Sequence, residues 1–214
     1  MNRYTLSEEI WSSSIHALGV FLSVAQLTLL VTLSSIYGDP WAIVSCSIFG
    51  ASMIFMFLAS SFYHAITKES VKKALKKVDH IAIYYLIAGS YTPLILANMR
   101  NSLGIGVLIS VWVMAILGTI LKLTLSANGA KWWSITLYLI MGWAVVFASK
   151  TLFAAMPTVA LVFLILGGLF YTFGVLFYIQ KKEKYTHAIW HGFVLMGALM
   201  IFFSVLFSAT GILS

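Results

Sequence analysis

Apolar residues in this chain gather into seven long runs separated by short polar segments. The runs cover approximately residues 14–34, 41–63, 81–97, 103–123, 133–149, 158–179 and 187–207. Each is close to the roughly 20 apolar residues a helix needs to cross a bilayer. Helices are the expected form, because an open sheet edge cannot survive in lipid. The linkers are short, which favours antiparallel neighbours. Pro40, Pro93 and Pro157 sit at or near the ends of runs. Pro93 falls inside the third and should kink it or loosen its last turn. No strong internal repeat is visible.

Two polar stretches add detail. Residues 1–13 read as an interfacial lead-in, with residues 14–214 as a single seven-span domain. In the lead-in, Thr5-Leu6-Ser7-Glu8 has the form of a capping box, with Thr5 as N-cap and Glu8 three residues on. That leaves Glu9 without an assigned role. The mixed charge of the lead-in and the length of the first run speak against a signal peptide. Residues 67–78 read as an amphipathic interfacial helix. Val71, Ala74, Leu75 and Val78 recur at helical spacing, and the lysines on the other face suit anionic headgroups.

Composition agrees with this reading. The chain has 214 residues, 61% of them hydrophobic and only 9% charged, with a mean hydropathy of +0.99. Soluble domains carry about 25% charged residues. The expectation is an all-α integral membrane protein, a seven-helix bundle with no room for a separate soluble domain. The net charge of +7 is confined to segments between the runs and does not indicate a nucleic-acid partner. Cys46 is the sole cysteine, which excludes a disulfide framework. With the N-terminus in the cytoplasm, eleven basic residues lie inside and only Arg100 and Lys150 lie outside. That bias predicts a cytoplasmic N-terminus and, after seven spans, an external Ser214.

Topology then sets the depth of the polar residues within the spans. Ionisable groups there are costly and usually functional. Glu9, Ser12 and His16 on span 1, Ser60 and His64 on span 2, Asp79 and His80 on span 3, and His187 and His191 on span 7 all fall in the cytoplasmic leaflet. The outer leaflet has only Lys150, at an edge. His187 and His191 lie one helical turn apart on one face. With His64 they could fill three corners of a zinc tetrahedron, leaving the fourth to water or substrate. Ser60 lies one turn before His64, and Asp79 is the nearest anion to balance the metal. A proton relay or a headgroup-facing polar cluster is the alternative use of these three histidines. His80 reads as an interfacial histidine bonded to a carbonyl or headgroup, with Asp79 turned elsewhere. His16 shares a face with Glu9 and Ser12 and reads as closing a polar belt under the site.

These residues also carry a resemblance. The stretch from Asp79-His80-Ile81-Ala82 through Gly89-Ser90-Tyr91-Thr92-Pro93 resembles the third-span signature of the hemolysin III-related proteins, the bacterial branch of the progestin and adipoQ receptor superfamily. Ser60-x-x-x-His64 and His187-x-x-x-His191 are similar to that superfamily's second-span and seventh-span motifs. Glu8-Glu9-Ile10 with His16 matches its N-terminal motif in part, with Ser12 where the family usually has Asn. The resemblance covers essentially the whole chain. It implies a bundle with the N-terminus inside, Zn2+ held by His64, His187 and His191, and Ser60 and Asp79 beside it. It further implies a multi-pass protein of the bacterial inner membrane, concerned with membrane homeostasis. Eukaryotic relatives implied by it are receptors with suspected ceramidase-like activity.

Two functions follow as expectations. One is a zinc-dependent hydrolase of lipid amide or ester bonds, with Asp79 as general base and Ser60 as an oxyanion or water contact. Its partner would be a membrane lipid or fatty acid. The other is a non-enzymatic receptor or sensor of membrane state with structural zinc. Ion conduction is disfavoured by the empty outer leaflet, and a secreted pore-former by the hydropathy. Oligomeric state is not set by the sequence.

Overall fold

The computed structural model describes residues 5–125, 127–180 and 183–212. Its regular elements are helical: α1 (Leu6–Tyr37), α2 (Pro40–Ala65), α3 (Glu69–Asn98), α4 (Ser102–Thr124), α5 (Ala127–Trp143), a 3₁₀ segment (Ala144–Ala148), α6 (Ser149–Ala155), α7 (Thr158–Ile179) and α8 (Thr186–Ala209). Among the described residues, seven stretches are long and apolar enough to cross a membrane, with α5, the 3₁₀ segment and α6 sharing the fifth. The expected seven-helix membrane bundle is present. Of the residues used to argue topology, Arg3, Lys181, Lys182 and Ser214 lie outside the described residues, as does the Lys131 side chain.

Helix ends follow local chemistry rather than the limits of the apolar runs. α1 begins at Leu6, well before residue 14, because the Thr5 box caps it there. Thr5 N–H donates to Glu8 Oε2 at 2.8 Å, and Glu8 N–H donates to Thr5 Oγ1 at 3.3 Å. α2 starts on Asp39, whose Oδ1 accepts from Ala42 N–H at 2.9 Å, with Pro40 next in the chain. The basic amphipathic stretch is not a separate interfacial helix. It forms the first turns of α3, because nothing between Glu69 and the third apolar run breaks the helix. α3 also continues past Pro93 to Asn98.

The fifth span departs from the expected single helix. It changes to a 3₁₀ turn at Ala144–Ala148. Backbone groups freed at membrane depth need partners from the protein. Tyr91 on α3 supplies them, donating its hydroxyl to Gly142 O at 3.0 Å and accepting from Val145 N–H at 2.8 Å.

Two apolar clusters meet on α3. One joins α1, α2, α3, α7 and α8 around Phe49, Met53, Phe57 and Val205. The other gathers Tyr84, Val111 and Met141 between α3, α4 and α5. Small residues permit close contact where lipid gives no hydrophobic drive. A Cβ on Gly89 would collide with the Ser52 side chain, so α2 and α3 meet there because position 89 is glycine.

Candidate metal centre

The polar residues converge at the end of the bundle where α1, α3 and α8 begin. His64 stands in the last turn of α2, and His187 and His191 in the first turns of α8. One potential ligand atom from each lies within 4.8 Å of the others. His64 Nε2 and His191 Nε2 face each other at 3.1 Å. Tetrahedral zinc with bonds near 2.0–2.1 Å spaces its ligand atoms about 3.3 Å apart. The structure thus brings together the three histidines singled out by spacing.

Two of these histidines are gripped from behind by α1. His64 Nδ1 meets Glu9 Oε2 at 2.6 Å. Glu9 Oε1 in turn pairs with Lys72 Nζ at 2.9 Å. Lys72 lies over the Tyr63 ring, 5.1 Å from its centroid, and donates to Ile66 O at 3.3 Å. On the other side, His191 Nδ1 meets His16 Nε2 at 2.8 Å. Engaging Nδ1 leaves Nε2 to point inward, the arrangement that holds metal-binding imidazoles in place. Glu8 accepts from Tyr185 N–H at 2.9 Å, so the capping-box carboxylate also secures the left-handed residue that opens α8.

Buried oxygen atoms complete the setting. Ser12 Oγ is buried and makes no hydrogen bond among the described residues, and buried Ser60 Oγ faces the Asp79 carboxylate without closing a short bond to it. A buried hydroxyl without a partner requires a water, ion or ligand. Asp79 is buried and within electrostatic reach of His64 and Ser60. Three imidazoles, an adjacent carboxylate and the serine hydroxyl beside it fit zinc with one position open to oxygen.

His80 lines the same cavity as Asp79. Adjacent helical residues diverge by about 100°, and the cavity wraps this part of α3 widely enough to meet both. The carbonyl of His80 accepts from Tyr138 Oη at 2.6 Å.

That cavity, of about 220 Å³, begins at His187, His191 and Asp79 and runs to Phe153 and Ile201. From His187 to Ile201 is fourteen residues of α8, or roughly 21 Å of helix. Apart from the polar end its walls are mostly apolar. Val146 of the 3₁₀ segment and Ile165 of α7 both line it, yet they are 55% and 51% exposed. It therefore opens sideways, where lipid would stand.

Three contacts escaped the sequence. Glu9, Ser12 and His16 share a face, which signalled a polar belt but not its targets. Lys72 looked like any headgroup lysine, and no local signal distinguishes it from Lys73.

Comparison with known proteins shows the family of the chain. The sequence profile described as Haemolysin-III related matches residues 4–202. The chain is 42% identical over 204 residues to the Hemolysin-3 homolog of Bacillus subtilis (strain 168), covering 95% of each. It is 38% identical over 209 residues to Hemolysin-3 of Bacillus cereus, covering 97% of this chain and 95% of that one. It is 30% identical over 199 residues to the human Monocyte to macrophage differentiation factor, covering 86% and 79%.

Proposed function

We propose a function for this chain from one premise: it belongs to the haemolysin-III-related family. The reading is a zinc-dependent hydrolase of lipid amide or ester bonds, acting in membrane-lipid homeostasis. One observation carries it. His187, His191 and Asp79 stand at the polar end of an elongated apolar cavity with a sideways opening. A structural metal needs no such space.

Zinc held by His64, His187 and His191 would polarise a carbonyl and supply a water with a pKa near 7. The protein's own groups do the rest. Asp79 accepts the proton of the attacking water and returns it to the leaving amine or alcohol. Ser60 donates to the oxygen on which charge develops. The apolar walls take the acyl chain and keep water from it. The excess of lysines at this end supports a cytoplasmic N-terminus and a site in that leaflet, and the reading takes the membrane to be a bacterial inner membrane. There a lipid's linkage region lies at the right depth. Residues 1–13 would sit at the interface and residues 14–214 act as one unit.

The test is fatty-acid release from a panel of ceramides and phospholipids, by protein purified into lipid nanodiscs. Asp79→Asn should slow release by roughly 10²–10⁴-fold while zinc content stays stoichiometric. His191→Ala should lose both. Zinc bound by the wild type with no metal-dependent release from any lipid would overturn the hydrolase and favour a sensor with structural metal.

A further inference from the structure

α1 gives the centre no metal ligand, yet it touches two of the three. Glu9 and His16 are seven residues apart, two turns along one face. Glu9 reaches His64 on α2, and His16 reaches His191 on α8. We infer that Glu9 and His16 are positioning residues that preset His64 Nε2 and His191 Nε2 for the metal, with Lys72 fixing Glu9. This rests on the zinc reading above and concerns what makes that site bind.

Proton placement supports the inference. A metal takes the lone pair of an unprotonated ring nitrogen, so a neutral histidine bound through Nε2 carries its hydrogen on Nδ1. His64 Nδ1–H then donates to Glu9 Oε2, and the 2.6 Å separation suits a charge-assisted bond. His191 Nδ1–H donates to His16 Nε2, at 2.8 Å. His16 must then accept at Nε2 and hold its own hydrogen on Nδ1. That atom is buried and has no hydrogen-bond partner among the described residues. His16 also lines the cavity. The tautomer chain therefore ends in a donor that calls for a water or ligand oxygen. Without these two partners, each ring could turn or swap its tautomer, and the metal would have to order it first.

Lys72 adds a second tie. Its side chain is only 14% exposed, and it pairs with the Glu9 oxygen that His64 leaves free. Glu9 thus has both oxygens engaged and cannot swing away. The lysine belongs to the basic opening turns of α3, so the surface helix is joined to the metal site through one carboxylate.

A purely structural role is the competing explanation: Glu9 would pin α1 to α2 and α3 and do nothing for the metal. Zinc affinity separates the two, measured on full-length protein in nanodiscs by competition with a fluorescent chelator. The melting temperature of metal-stripped protein is recorded alongside. Glu9→Gln and His16→Leu should each weaken zinc binding about 10–100-fold. Lys72→Met should weaken it less, and Lys72→Arg should restore wild-type affinity. If Glu9→Gln does not fold, Lys72→Met and Lys72→Arg still read that arm. The inference is overturned if the folded variants bind zinc within about threefold of wild type and lose only metal-free stability, while His191→Ala abolishes binding. Zinc retained by His191→Ala would instead sink the zinc reading, and the inference with it.

Discussion

The half of the bundle where α1, α3 and α8 begin differs from the other half in what holds it together. In the first, Glu9, His16, His64, Asp79 and His191 are turned inward and buried. Directional contacts of 2.6–3.1 Å tie α1, α2 and α8 to one another. In the second, Leu30, Cys46, Phe49 and Val205 are fully buried, and the helices are joined mainly by packing, with scattered polar contacts such as Ser34 Oγ to Cys46 Sγ at 3.5 Å. Lipid is as apolar as these side chains, so burying them gains packing rather than escape from water. Burying titratable groups costs free energy that packing does not return. The difference shows a division of labour: the apolar half supplies stability, and the polar half spends some of it on a site.

Exchanging the type of damage between the halves tests that division. Phe49→Ala should give the largest loss of stability. Removing a fully buried aromatic costs about 3 kcal/mol, the low end of the usual range because the membrane-embedded reference state is itself apolar. Reversible unfolding in mixed micelles measures it. Zinc stoichiometry should stay that of the wild type. A Phe49→Ala variant that unfolds normally but loses metal would erase the distinction between the halves.

Ser60→Ala should do the reverse. Its hydroxyl is buried and faces Asp79 without closing a short hydrogen bond, so replacing it removes at most a weak contact and a poorly satisfied group. Stability should hold or rise by up to about 1 kcal/mol. Lipid hydrolysis should fall about 10²-fold, as when one oxyanion donor is lost. A loss of several kcal/mol without change in turnover would make Ser60 a packing residue and move it out of the site.

The fold was legible because membrane helices announce themselves in two ways, by unbroken apolar length and by the sidedness of lysines such as Lys68 and Lys73. His64, His187 and His191 were legible because a topology with seven spans fixes depth as well as order. Their coming together required that the end of α2 meet the start of α8, although both helices pack more on α1 and α3 than on each other. What stayed hidden depended on rotation and on side-chain reach. Nothing in the sequence tells that Lys72 turns in to Glu9 while Lys73 pairs with Glu69 at the surface, at 3.0 Å. The break in the fifth span was hidden for another reason. It is held by Tyr91, more than 50 residues away, and Ala144–Ala148 carries no proline or glycine to mark it. That His80 and Asp79 line one cavity was hidden because cavities, unlike helix faces, have no period in sequence.

The smallest expected effect lies at the far end of the apolar half, where Asp39 caps α2 and pairs with Arg100 at 2.8 Å. The Ala42 N–H bond first, and the Arg100 charge second, hold the Asp39 carboxyl below its ordinary value of 3.8. A carboxylate with a depressed folded-state pKa stabilises fully above its unfolded pKa, and that stabilisation is lost as pH falls through the folded value. Asp39→Asn keeps an oxygen for the cap and removes only the charge. Because the pair is solvent-exposed, the variant should melt only slightly lower than wild type near neutral pH, by less than about 1 kcal/mol. Added salt should shrink the gap, and it should close as pH falls through the depressed folded-state value, where wild-type Asp39 itself takes up a proton. A gap that persists unchanged in acid would assign the effect to packing at the helix start rather than to charge. The apolar half would then owe even its outer clasp to shape.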